Sequence, residues 1–252
     1  MQNSSTGFYG KMPSQGDFVS RRLPREFIHF WDHWLQNSIA YSRDQLQDSW
    51  LQTYLTSPIW RFALSPGQCD NRLWTGVMIP SVDSVGRYFP LTIALALPAS
   101  TNPFTLAGEF KECYDAAEKL LLSTLNDRQF DMAKFDMEVS RLSAQFNTTM
   151  LTRSLPAADP RFIPKDDSNN WHIPQPSADV SVSYPHMLHI LVRQRFPIYS
   201  LFWSKGSNQV QPCMLVSRNM PPVSGFSGML GGYWQSGNWE DWAMSFPMAS
   251  GR

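Results

Sequence analysis

Asp83 and Arg87 stand four residues apart across Gly86, in a short polar loop between two apolar runs. A carboxylate and a guanidinium at that spacing can close on each other as a two-point clamp, or can hold a ligand phosphate or a partner carboxylate. The clamp is the preferred reading, because a rigid loop serves recognition without any chemistry. Asp17, Asp83 and Arg87 make the sharpest polar set, which Lys11, Asp32 and Arg61 could join. Each catalytic template tried on the chain lacks a required residue. Gly10-Lys11 has Ser5 where a phosphate loop needs glycine and Met12 where it needs a hydroxyl. His29 and His33 are spaced for one metal, but Phe30 replaces the glutamate of the zinc-protease pattern; His186 and His189 also lack a third ligand nearby. Ser227 has its second glycine one residue too early for a nucleophile elbow. No catalytic residue, cofactor or metal site is assigned.

The elements that would position the charged set can be read from hydrophobic periodicity. Leu73–Ile79 and Leu91–Leu97 are nearly unbroken apolar runs, as expected of strands covered on both faces. Pro80 and Pro90 bound the loop between them, and Gly86 is free to take a positive φ. Ile59–Leu64 adds a third strand, and Ile198–Ser204 with Val210–Ser217 a hairpin. Phe27, Phe30, Trp31, Trp34 and Leu35 repeat at helical spacing behind Pro24, which predicts an amphipathic helix to about Tyr41. A second runs over Asp44–Leu55, ending before Pro58. Further helices are predicted at Thr105–Leu125 and Asp131–Phe146, two that cover one sheet face, and at His186–Phe196 and Gly225–Leu230. Residues 148–185 hold six prolines and the polar run Lys165–Asn170, and read as a long loop, either a flexible excursion or a strap that holds Trp171 against the body. The expected architecture is α/β, a single mixed β-sheet flanked by helices on both faces. It forms one domain over 1–252, since two C-terminal strands are too few to stand alone.

Bulk composition narrows the function. Lys plus Arg equals Asp plus Glu at 21 each, so no net field draws nucleic acid or an anionic membrane. The longest apolar run falls far short of the roughly 20 residues a spanning helix needs. With no basic, apolar leader at Met1 and three scattered cysteines, Cys69, Cys113 and Cys213, the expectation is a soluble cytoplasmic protein with ordinary buried thiols. Ten tryptophans exceed what a minimal core needs, so two or more are expected at a partner surface.

Ordered blocks carry a family resemblance. Gly7-Phe-Tyr-Gly-Lys-Met-Pro-Ser-Gln-Gly-Asp-Phe-Val19, Arg22-Leu-Pro24, Trp31-Asp-His-Trp-Leu35, Ser57–Gly67, Pro80–Thr92, Ser200–Ser207 and Met220–Phe226 resemble the type VI secretion-associated TagF (ImpM) family. The likeness is dense over 7–97, sparse over 100–195, and returns over 198–231; the family favours an acidic residue where Lys205 stands. It implies a fold similar to longin-type adaptor domains. It also implies a non-catalytic, post-translational repressor of secretion-machine assembly or firing. Such a protein acts with a forkhead-associated scaffold, in parallel to a threonine kinase and phosphatase. Lys11, Asp17, Trp31, Asp32, Arg61, Asp83 and Arg87 are the candidates for partner binding or loop clamping. The alternative is a metal-dependent hydrolase acting on a phosphorylated signal, with Asp17 and Asp83 around the ion.

Overall fold

The computed structural model describes residues 5–126, 130–152 and 178–241. The chain opens with two short strands, β1 (Gly7–Gly10) and β2 (Val19–Arg21), followed by α1 (Arg25–Leu46) and α2 (Trp50–Leu55). A meander of β3 (Trp60–Leu64), β4 (Leu73–Ile79) and β5 (Leu91–Leu97) comes next. Then come α3 (Pro103–Glu109), α4 (Lys111–Asn126), α5 (Met132–Thr152) and α6 (Tyr184–Arg195). The hairpin β6 (Tyr199–Ser204) and β7 (Cys213–Arg218) and the short α7 (Phe226–Gly231) end the described fold.

All seven strands form one sheet in the order β2-β1-β5-β4-β3-β6-β7, and every neighbouring pair is antiparallel. This corrects the expected mixed sheet. Parallel neighbours need a crossover between adjacent strands, but here the helical excursions join β2 to β3 and β5 to β6, which are not neighbours. Strands β1 and β2 are not among the elements read from hydrophobic periodicity.

Each face of the sheet carries its own core. On one, Phe62, Trp74, Met78 and Phe202 meet Phe27, Trp31, Trp34 and Leu35 of α1 and Phe226, Met229 and Leu230 of α7. On the other, Leu73, Val77, Ile93 and Leu95 meet Tyr114, Ala117 and Leu121 of α4 and Phe135, Val139, Leu142 and Phe146 of α5. Strands β4 and β5 are buried at every position, which is why both read as continuous apolar runs.

The element boundaries differ from expectation for local reasons. Helix α1 continues past Tyr41 because Ser42 stays on the buried stripe. Its hydroxyl bonds Ile39 O at 2.9 Å and accepts the Trp50 indole N–H at 2.9 Å, so no polar group is stranded. The helix predicted at Thr105–Leu125 is two, capped at its start by Asn102, whose side chain accepts from Phe104 N, and interrupted at Phe110. Strand β7 begins after Pro212, which has no N–H for a ladder. Of the predicted loop 148–185, its first residues belong to α5 and its last to a 3-10 turn (Val180–Ser183) and α6. The part at 153–177, Trp171 and the polar run included, lies outside the described residues.

Candidate functional site

The loop after β1 and the loop between β4 and β5 meet at Asp83, whose side chain is fully shielded from solvent. Gly10 allows the approach. It sits at φ 142°, and a Cβ there would fall 2.1 Å from Pro90 O, so only glycine brings the β1 end this close to β5. Lys11, the next residue, then donates its ammonium to Asp83 Oδ2 at 2.6 Å. From the other side Arg87 Nε reaches the same oxygen at 2.7 Å, and the backbone N–H groups of Val85 and Arg87 donate to Oδ1 at 3.1 and 2.8 Å. Gly86 completes this turn at φ 84°. An ionised carboxylate offers about four acceptor positions, and all four are occupied. Burial alone would raise the Asp83 pKa; the Lys11 ammonium first, then Arg87 and Val85, outweigh it and hold the carboxyl well below its usual range.

Arg87 does more than pair with Asp83, and it pairs differently from the expected two-point contact. Only Nε touches the carboxylate, while Nη2 donates to the carbonyl of Gly16. The guanidinium therefore ties two loops together, helped by Ser84 N donating to Gln15 O at 2.9 Å. Phe18 forms the exposed edge of the same structure. Its ring stacks on Tyr9 at 5.4 Å, meets Phe89 edge-on at 4.9 Å and lies 4.3 Å from the Lys11 ammonium, yet it remains 40% exposed. Below it the Tyr9 hydroxyl donates to Asp32 at 2.6 Å, and Gln36 donates to the other Asp32 oxygen at 2.6 Å. Burial, then Asp32, pushes the Tyr9 phenol well above its ordinary pKa.

The remaining candidates separate. Asp17 is exposed and caps the N–H of Phe18 at 2.8 Å, outside the ion cluster. Trp31 has no exposed surface. Its indole N–H donates to Thr92 Oγ1 at 3.0 Å, so it belongs to the core and not to a surface. Among the described residues, Trp31, Trp34, Trp50, Trp60 and Trp74 are buried and Trp203, Trp234 and Trp239 half-buried; Trp171 and Trp242 lie outside them. Arg61 lies on the opposite side of the sheet. There it donates to Glu118 at 2.6 Å and Asp115 at 2.5 Å. Lys205 donates to the same two carboxylates at 2.7 and 2.8 Å, and with Lys111 and Arg61 it holds Asp115 well below the usual carboxylate range. Sequence reasoning missed this second network. Its one local signal was a pair of acids three apart on α4 beside the apolar stripe.

His29 and His33 are exposed on α1, and His33 meets Asn37. His189 is buried against the Tyr199 hydroxyl at 2.6 Å, with its pKa pulled down to about 4 by burial, then by Arg193 and His186. Among the described residues no group of three His, Cys, Asp or Glu side chains could hold a metal ion. None of their helices is long and apolar enough to cross a membrane.

The two loops tied by Asp83 are also the most distinctive parts of the sequence, and comparison with known proteins accounts for them. A family model described as the TagF N-terminal domain, type VI secretion system-associated, matches residues 7–142. The chain belongs to the TagF family. A crystal structure of PA0076 from Pseudomonas aeruginosa PAO1 is similar at 35% identity and a TM-score of 0.69, covering 90% of this chain and 94% of that one. No curated protein sequence matches. The TagF model ends inside α5, whereas the sheet goes on to Arg218, so the TagF-matched segment and the C-terminal hairpin share one sheet. Both clamped loops, 11–18 and 80–90, lie within the matched TagF segment.

Proposed function

We propose that this TagF-family chain acts in the cytoplasm, as one domain, as a non-catalytic adaptor that represses type VI secretion by stoichiometric binding. Its partner in this reading is the forkhead-associated scaffold. The supporting observation is the state of Asp83. This carboxylate has every acceptor position filled from within the chain, so it rigidifies two loops and has nothing left to offer a metal or a proton. Asp17 and Asp83 therefore make a poor ion site, which weighs against the hydrolase alternative. What the rigid loops display outward is contact surface: Phe18, Asp17, the 67%-exposed Val85 and the free side of Arg87. A preformed aromatic and charged edge binds without an ordering cost.

The test combines two measurements. In cells lacking the chromosomal copy, secreted tube protein is followed as expression of this chain is raised in steps, and affinity for the purified scaffold is measured directly. Stoichiometric action requires repression to set in near equivalence with the target. It also requires Phe18→Ala with Val85→Asp to weaken scaffold binding at least tenfold while the fold is kept. Repression at one molecule per many targets, or loss of repression in Asp17→Asn with scaffold binding intact, would overturn the adaptor reading.

A further inference from the structure

Phe18 lies just outside the β1–β2 ladder, whose end pair is Gly10 with Val19, and its backbone N–H is taken by its own neighbour, Asp17, at 2.8 Å. The place of this 40%-exposed ring is therefore set by what it touches. Three groups hold it: the Lys11 ammonium, the edge-on ring of Phe89, and the ring of Tyr9, which lies nearly parallel to it at an interplanar angle of 7°. Lys11 and Phe89 belong to the clamped loops. Tyr9 is held from elsewhere, by the carboxylate of Asp32 on α1.

Asp32 is carried on a helix pinned at that turn. Tyr9 and Thr92 face each other across the β1–β5 ladder, and two successive residues of α1 bond to that pair: the Trp31 indole N–H donates to the Thr92 hydroxyl at 3.0 Å, and Asp32 accepts from the Tyr9 hydroxyl at 2.6 Å. Gln36, one turn on, donates to the second Asp32 oxygen at 2.6 Å and fixes the carboxylate in turn. Tyr9 is only 7% exposed, and a tyrosine hydroxyl so placed needs a partner within the protein. Without one, the ring tilts to bring its oxygen to water, and the Phe18 ring stacked on it follows.

We propose that Asp32 is a positioning residue for partner binding: through the Tyr9 hydroxyl it holds Phe18 in the orientation in which the exposed edge meets its partner. The inference rests on the adaptor reading for the use of that edge. Asp32 itself is half-buried and acts without touching the partner. An acceptor is what the position requires, and a charge is not, since the Tyr9 hydroxyl donates to one oxygen only. Asparagine therefore serves in its place. Leucine, of similar shape, leaves the hydroxyl facing an apolar group and leaves no room for a water to substitute. Removing the hydroxyl as well removes the conflict, because replacing both partners of a hydrogen bond by apolar groups of the same shape is nearly neutral.

The test gives the Phe18 ring a single fluorine, whose resonance reports its surroundings, and measures the affinity of the unlabelled variants for the purified scaffold. Asp32→Leu should shift the resonance and weaken scaffold binding at least about fivefold. Asp32→Asn should leave the resonance in place and keep affinity within about twofold of wild type. Tyr9→Phe added to Asp32→Leu should restore both, a rescue that neither a general loss of stability nor a direct contact between Asp32 and the partner would give. Should Asp32→Leu fail to fold, Asp32→Ala is read in its place, with the same pattern expected. A resonance unmoved by the apolar substitution, a displacement that Tyr9→Phe does not reverse, or an affinity loss from Asp32→Leu that persists undiminished in the Phe18→Ala background overturns the inference. Phe18→Ala alone decides whether the scaffold uses this edge. If it leaves affinity unchanged, the adaptor reading of the edge fails, and the fluorine resonance still decides whether Asp32 positions Phe18.

Discussion

Replacing Lys11 by methionine tests whether the clamp stabilises the fold. The side chain keeps most of its volume and loses its ammonium, which deletes the 2.6 Å bond to Asp83 and the contact with Phe18. A hydrogen bond to a charged group contributes about 1.5–3 kcal/mol, and a cation–π contact at a partly exposed ring about 0.5–1 kcal/mol. Against that gross loss, methionine needs no desolvation, and Asp83 keeps Arg87 and two backbone N–H groups. The net cost is then about 2 kcal/mol. At about 2–4 °C per kcal/mol for a chain of this size, the midpoint should fall by about 4–8 °C. Acid provides a second readout. A carboxyl whose folded pKa is lowered contributes stability in full above its unfolded value of about 3.9, and that contribution fades as pH falls through the folded value. Lys11→Met moves the folded value back toward the unfolded one. The stability gap between the two proteins should therefore be constant from about pH 7 to 5 and narrow below about pH 4. Thermal unfolding at neutral pH measures the first effect and urea unfolding at stepped pH the second. A midpoint within 1 °C of wild type at neutral pH, or a gap that persists unchanged in acid, refutes the argument.

Arg87→Lys should lower stability by about 1 kcal/mol, because an ammonium cannot reach both Asp83 and the Gly16 carbonyl and the side chain is half in water; an unchanged urea midpoint would contradict this. Burial pushes the Cys69 and Cys213 thiols up to about 11 and raises Cys113 as well, so a thiol reagent at pH 7.5 should label Cys69 and Cys213 roughly two orders of magnitude more slowly than a free thiol, and the buried Cys113 slowly too. Complete labelling within seconds in native buffer would show the thiols to be accessible. His189 is held neutral down to about pH 4 while its unfolded counterpart titrates near 6.5, so the unfolded state binds the extra proton between those values and stability should decline as pH falls from about 6.5 to 4. His189→Gln should flatten that slope; an identical slope would place the effect elsewhere.

What could be read from the sequence was what is decided locally. Leu73–Ile79 and Leu91–Leu97 declared themselves as covered strands because both of their faces are core, and Gly86 marked its turn because the turn needs positive φ. The Asp83–Arg87 contact was visible since both partners share one loop. Lys11 joined it only through a pairing 72 residues apart, which no local spacing records. Strands β1 and β2 escaped notice because four and three residues carry too little alternation to register. Trp31 was a binding candidate although its helical spacing with Phe27, Trp34 and Leu35 already put it on the apolar stripe, and the structure keeps it in that core with its indole N–H on Thr92. Arg61 sits alone in an apolar strand, and its carboxylate partners on α4 lie 54 and 57 residues away.

The strand order sets a timetable for synthesis. The meander β3-β4-β5 can close from neighbouring segments, but the β1-β2 hairpin has no sheet to join until β5 exists, more than eighty residues after β1 leaves the ribosome. Until then the hairpin waits undocked. Once the meander forms, the outer edge of β5, an unbroken apolar strand, lies open to any extended chain nearby. Docking of β1 closes that edge, and Lys11 reaches Asp83 in the same event. The ion pair is thus a latch on the step that removes the sticky edge, and truncation of the N-terminal hairpin would leave a nascent sheet prone to aggregate before any question of function arises.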